Sequence, residues 1–143
     1  MLSHDSAQLR NLGEEDIHHI PIEFLDNGVL CVKHGVFNLI RAIHFDPNVP
    51  QNNNIRPASK KYKIVEVWEN NKWTTKARCD IVECLVTRYK CLLYERFVVL
   101  LKSGKITYED SITINKAFSN FMTSNAYFTC SQKITALLHP HRG

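Results

Sequence analysis

Nine apolar residues, Ile81, Leu85, Val86, Tyr89, Leu92, Leu93, Phe97, Leu100 and Leu101, recur at three- and four-residue steps. That spacing places them on one face of an α-helix running from about residue 80 to 102. Asp80 supplies a side chain able to cap its first turn, and Ser103-Gly104 closes it, since glycine takes the left-handed backbone of a helix C-terminus. A chain of 143 residues is one domain's worth. It buries roughly 70% of its unfolded surface, so its core forms without staples.

Around this helix the other elements follow from periodicity and punctuation. Residues 1–13 read as a loose lead-in, residues 14–138 as a single globular domain and residues 139–143 as a tail. Glu14, Glu15 and Asp16 suit the start of a short helix. Pro21 opens another short helix through Leu25, and Asp26-Asn27-Gly28 is a turn signal. Val36, Phe37, Leu39, Ile40 and Ile43 predict a helix over 33–45, ended by Asp46-Pro47. Asn48 to Ser59, rich in Asn and Pro, predicts an irregular loop. Tyr62 to Trp68 alternates as a strand, Asn70-Asn71 is a two-residue turn, and Trp73 to Ala77 returns, with Trp68 packing across to Trp73. Thr107 to Asp110 opens a helix over 112–122, Ser124-Asn125 breaks it, and a last helix covers 128–138 before Pro140. The expectation is an α+β fold: a mostly helical single domain with one β-hairpin, about 62–77, preceding the long helix.

No apolar run approaches the ~20 residues that span a bilayer, and Met1 to Arg10 has no secretory core. Five scattered cysteines, an odd number, read as reduced thiols. These features predict an intracellular protein with no membrane partner. Charge is unevenly spread. Residues 1–46 hold seven acids and three bases, whereas Arg56 to Arg78 holds seven bases and two acids. A basic segment of this kind attracts anionic partners, nucleic acid foremost. Arg56, Lys60, Lys61, Lys63, Lys72, Lys76 and Arg78 are the candidate phosphate contacts, interleaved with Tyr62, Trp68 and Trp73. For the tryptophans, packing on the long helix is the expected role.

Catalytic and metal chemistry finds little support. Zinc sites need paired ligands at short spacing, whereas Cys79, Cys84 and Cys91 are five and seven residues apart and read as core packing on one helix face. No cysteine sits beside a base in a nucleophile motif, and the five glycines form no phosphate-cradling loop. No catalytic residue, metal ligand or cofactor is assigned. His44-Phe45-Asp46 with the following Asn-rich loop faintly resembles a His-Asn-His nuclease, but residues 79–102 lack the second histidine such a site needs.

The block Ile43-His44-Phe45-Asp46-Pro47, then Pro50, Asn52 and Asn54-Ile55-Arg56, is similar to a segment of uncharacterised proteins of giant nucleocytoplasmic DNA viruses. In them it is followed by a strand, a Trp-containing turn, here Trp68 to Trp73, and a helix. The resemblance covers about residues 12–100, and Glu14-Glu15-Asp16-Ile17 shares in it. It makes His44, Asp46, Asn52, Asn54 and Arg56 a motif loop. Family members often carry a two-Cys/two-His zinc finger N-terminal to this region. This chain has no such finger, and it has Asn53 where the family often has His. The resemblance implies a viral, nucleic-acid-linked context and supplies no catalytic residue. The functional expectation is therefore a non-enzymatic nucleic-acid-binding or accessory module of a large DNA virus, in the host cytoplasm, nucleus or virion. The alternatives are a structural protein, such as a virion component or homo-oligomer joined through the helices after Asp80, and, as a minor reading, a metal-dependent nuclease.

Overall fold

The computed structural model describes residues 9–59 and 61–139. After an irregular segment come α1 (Ile22–Leu30), α2 (Val32–His44), a 3-10 turn (Pro50–Asn52), β1 (Ile55–Ser59), β2 (Ile64–Glu69), β3 (Lys72–Ala77) and α3 (Arg78–Lys102). Then follow α4 (Tyr108–Asn120), a second 3-10 turn (Phe121–Thr123) and α5 (Asn125–Leu137). The fold is the expected α+β domain, with the hairpin leading into the long helix.

The periodic face of α3 is the floor of the core. Ile81, Val82, Leu85, Val86, Tyr89, Leu93, Phe97 and Leu100 are buried along it. Helices α1, α2 and α5 pack against it, and α2 also meets α5. Helices α1 and α2 cross at two glycines. A Cβ built on Gly35 would lie 2.5 Å from the Gly28 Cα, and one on Gly28 would lie 2.9 Å from a Leu93 methyl. This explains why Asp26-Asn27-Gly28 lies inside α1 rather than forming the expected turn: Gly28 serves close approach, and packing overrides the local preference. Asp26 accepts two hydrogen bonds from Arg96, at 2.5 and 3.3 Å, tying α1 to α3.

Strands β2 and β3 pair as expected, with Trp68 opposite Trp73 and Glu69 opposite Lys72. Asn70 and Asn71 have φ of 52° and 61°, the left-handed pair of a type I′ turn. The expected irregular loop before the hairpin is corrected at its second half. Ile55–Ser59 forms a third strand, antiparallel to β2, with Ile55 opposite Val67 and Pro57 opposite Val65. Proline is tolerated there because β1 is an outer strand, with one side of its backbone unpaired.

Two helix starts also differ. No helix forms at Glu14: the Glu15 carboxylate accepts from the Gly13 N–H at 3.0 Å, and Asp16 accepts from the His18 N–H at 2.9 Å. Such side-chain bonds compete with the helix. The long helix begins at Arg78 rather than behind an Asp80 cap, because β3 runs straight into it and the Arg78 N–H bonds the Lys63 carbonyl at 3.0 Å. The lead-in expected to be loose is held from Arg10 onward. The Arg10 N–H donates to Gln51 and the Leu12 N–H to Trp68, at 2.8 and 2.7 Å. At the other end Ser124 accepts from the Ala126 N–H and caps α5, three residues earlier than the apolar pattern begins.

Candidate nucleic-acid interface

Pairing register assigns each side chain of the sheet to a face, since directly opposed residues point the same way. Ile55, Val65 and Val67 point inward and are buried in the core. Arg56, Glu66, Trp68, Trp73 and Thr75 therefore share the other face. The expectation that the tryptophans pack on the long helix is overturned: they lie on the side of the sheet away from it. Trp68 and Trp73 meet edge to face with centroids 5.4 Å apart. Arg56 lies 3.9 Å above the Trp73 ring and donates to Glu66 at 2.7 Å. On this face Arg56 is thus committed twice.

The seven predicted phosphate contacts do not converge on one face. Lys76 is paired with Glu69 at 3.0 Å. Lys72 is exposed beside the Asn70-Asn71 turn, at the far end of the sheet. Lys60 lies outside the described residues. What the fold does bring together is Lys63 and Arg78, with Lys61 two residues away on the same turn. Ile64 and Ala77 are the last opposed pair of β2 and β3. Lys63 and Arg78 stand one step beyond it, joined through their backbones. Among the described residues none of these three cations has an ion pair. Tyr62, between the lysines, is 64% exposed, with the Lys61 ammonium 5.3 Å from its ring centroid. Cations flanking an open aromatic ring suit contact with phosphates and a stacked base.

The motif loop divides differently. Asp46 accepts from the Asn48 N–H at 2.9 Å and shapes the turn. Arg56 belongs to the sheet face. His44, Asn52 and Asn54 are fully buried, and they form a network with residues from two other segments, Arg10 to Asp16 and helix α3. The Asn54 amide donates to Glu15 at 2.6 Å and to the Arg10 carbonyl at 3.1 Å, so its oxygen faces His44 Nδ1 at 2.8 Å as acceptor. Nδ1 therefore carries the proton, and Nε2 accepts from the Tyr89 hydroxyl at 2.6 Å. Burial lowers the His44 pKa from its ordinary value, against the opposing pull of Glu15, and raises that of Tyr89. The Glu15 carboxylate also receives Arg88 at 3.5 Å. Asn52 accepts from Arg10 at 3.0 Å and donates to the Asp16 carbonyl at 2.7 Å. These bonds go to segments distant in the chain rather than to the loop that carries the two Asn side chains.

The network's chemistry is that of a clamp. With both ring nitrogens occupied and no exposed surface, His44 does not present the open site a nuclease histidine requires. Sequence reasoning singled out His44, Asn52 and Asn54 but missed Glu15, Tyr89, Arg88 and Arg10. A tyrosine on an apolar helix face was the available signal, because a buried hydroxyl needs a partner.

The cysteines are also corrected. Cys31, Cys79, Cys84 and Cys91 are exposed, and only Cys130 is buried. Cys84 and Cys91 do share a face of α3, as their spacing requires, but it is a solvent face, where Cys84 meets Arg88 at 3.8 Å. Burial pushes the Cys130 thiol up to about 11. Among the described residues no group of three or more His, Cys, Asp or Glu side chains is arranged to hold a metal ion, and no helix is long and apolar enough to cross a membrane. No family model matches the chain, and no curated protein or solved structure matches it either.

Proposed function

We propose that the chain is a non-enzymatic nucleic-acid-binding or accessory module whose phosphate contacts are Lys61, Lys63 and Arg78 at the turn end of the sheet. The observation that carries this reading is their nearness at one end of the sheet without ion-pair partners among the described residues, beside the exposed ring of Tyr62. Arg56 and Lys76 leave the contact set, because Glu66 and Glu69 already neutralise them. The resemblance of residues 43–56 to proteins of large DNA viruses supports a viral setting for this role.

Phosphate neutralisation releases counterions, so affinity falls with salt by a slope of roughly 0.9 per contact on duplex DNA and roughly 0.7 on single strands. Fluorescence anisotropy with duplex and single-stranded oligonucleotides between about 50 and 200 mM salt reads that slope. Replacing Lys61, Lys63 and Arg78 together should lower the duplex slope by about 2 to 3. The control replaces Lys102 and Lys105, since the C-terminal end of α3 lies about 36 Å from Arg78 at 1.5 Å per residue. An unchanged slope in the first variant, or no binding at low salt, overturns the reading.

A second reading rests on a separate observation. Tyr94, Val99, Leu101, Tyr108, Ile112 and Phe128 are apolar and 39% to 77% exposed on α3, α4 and α5. Scattered exposed apolar residues are ordinary, whereas this many on three successive helices fits a protein partner or a second copy. Sedimentation equilibrium decides it: a strict monomer at high concentration removes the homo-oligomer.

A further inference from the structure

We propose that the cleft bounded by the β1–β2 turn, the first turn of α3 and one face of α5 is a site for a single phosphate group, an inference that rests on the nucleic-acid reading only for what bears the phosphate. The cleft has a volume of about 370 Å³ and is lined by Lys63, Arg78, Cys79, Tyr127, Ser131 and Thr135, with Val82 at its base. That is near the lower end of ligand pockets, about 300–1,000 Å³. It suits a phosphate with part of what carries it rather than a large ligand.

Four features of the wall favour a phosphate. Two cations line it and no carboxylate does; Asp80, the next residue along α3, is exposed and outside the lining. The wall also includes three hydroxyl-bearing residues, Tyr127, Ser131 and Thr135, at four-residue steps on α5. Hydroxyls donate to phosphate oxygens as readily as to carbonyls.

The third feature is the start of α3. This 25-residue helix has Ala77 at its cap position, and among the described residues no side chain accepts from its first-turn amides. The Arg78 N–H is taken by Lys63, and the amides that follow add the positive end of the helix to the two cations.

The fourth feature is independent of the helix end. The Ser131 hydroxyl oxygen is buried and, among the described residues, has no hydrogen-bond partner. Ser103, Ser111 and Ser124 each give their hydroxyl to the carbonyl three residues back, at 3.2, 2.6 and 2.8 Å. Ser131 does not, although a helical serine has that option open. A rotation about its χ1 to another staggered well redirects the hydroxyl, and a phosphate oxygen in the cleft would be its first partner.

The experiment is a proton–nitrogen correlation NMR titration of the full chain with inorganic phosphate, balanced with chloride at constant ionic strength. Saturable shifts are expected at Lys63, Cys79, Asp80 and Ser131. Arg78→Gln and Lys63→Gly should each weaken binding by about tenfold, the size of one charge-assisted hydrogen bond. Lys63→Gly also guards against misfolding, because Lys63 has φ of 52° and glycine meets no strain there. Shifts no larger than those with chloride, or shifts unchanged in Arg78→Gln, overturn the site.

A second arm compares single-stranded oligonucleotides with a 5′-phosphate and a 5′-hydroxyl. Tighter binding of the phosphorylated strand assigns the cleft to a strand end, and equal binding that is lost in Arg78→Gln assigns it to an internal phosphate. Phosphate shifts without oligonucleotide binding keep the cleft and sink the nucleic-acid reading. Oligonucleotide binding without phosphate shifts does the reverse.

Discussion

His44 shows how strongly one buried side chain can be specified. Its tautomer follows from the commitments of its neighbours: Asn54 has spent its amide on Glu15 and the Arg10 carbonyl, so only its oxygen remains for Nδ1. Tyr89→Phe removes the one donor to Nε2 and leaves a buried acceptor unsatisfied. A loss of about 1 to 3 kcal/mol is expected, read from the urea midpoint. The same residue sets a pH dependence. Its pKa is lowered in the folded chain relative to 6.5, so the unfolded chain binds the extra proton first. The stability it contributes is complete above that value and is lost as pH falls from it toward the depressed folded pKa. Glu15 and Arg88 face the same network and oppose one another in this effect, Glu15 favouring the protonated ring and Arg88 the neutral one. Urea midpoints measured from pH 7.5 downward should therefore begin to fall near pH 6.5, before most carboxylates titrate. A flat profile down to pH 5 removes His44 as the cause.

At the scale of elements, the tightest junction is the crossing of α1 and α2. Gly35→Ala would push a methyl to 2.5 Å from the Gly28 Cα and 2.7 Å from its carbonyl oxygen, both backbone atoms that no rotamer change can move. The helices must separate, and a loss of about 1 to 3 kcal/mol is expected from thermal unfolding. Gly104→Ala tests a different cost, since that residue has φ of 75° and nothing near its Cβ. Its loss should come from backbone strain alone, about 1 kcal/mol. Elements were legible in the sequence where the signal was local. The stripe from Ile81 to Leu101, the Asn70-Asn71 turn and the alternation from Tyr62 to Trp68 each encode their structure within a few residues. Gly28 in α1 was misread because its reason lies on another helix. Strand β1 was hidden because Pro57 is excluded from sheets except at an outer position, which only the assembled sheet reveals. The site was partly legible: Lys61, Lys63 and Arg78 were named, but their separation from Arg56 and Lys76 depends on cross-strand acids. The clamp was the least legible, because Arg10, Glu15, His44, Asn54 and Tyr89 meet only after folding.

For the molecule as a whole, the distribution of thiols is a direct check on how α3 is oriented. A maleimide reagent should modify Cys31, Cys79, Cys84 and Cys91 in the native chain and reach Cys130 only on unfolding, counted by mass spectrometry. Protection of Cys84 and Cys91 would mean that another surface covers the solvent face of the long helix. The sheet carries a further consequence. With strand order β1-β2-β3 it has two open sides among the described residues, and an unpaired strand is a template for any other extended chain. On β1 the missing N–H of Pro57 and the register shift before Ser59 spoil that template. On β3 the deterrent is charge: Lys72 and Lys76 stand on the same side of the strand, and the single carboxylate of Glu69 leaves one of the two positive charges uncompensated. Lys72 and Lys76, outside the proposed phosphate contacts, thus have work of their own, keeping one copy of the chain from growing onto the next. Exchanging both for valine should leave oligonucleotide binding intact while turning a clear solution into one that forms thioflavin-positive fibres.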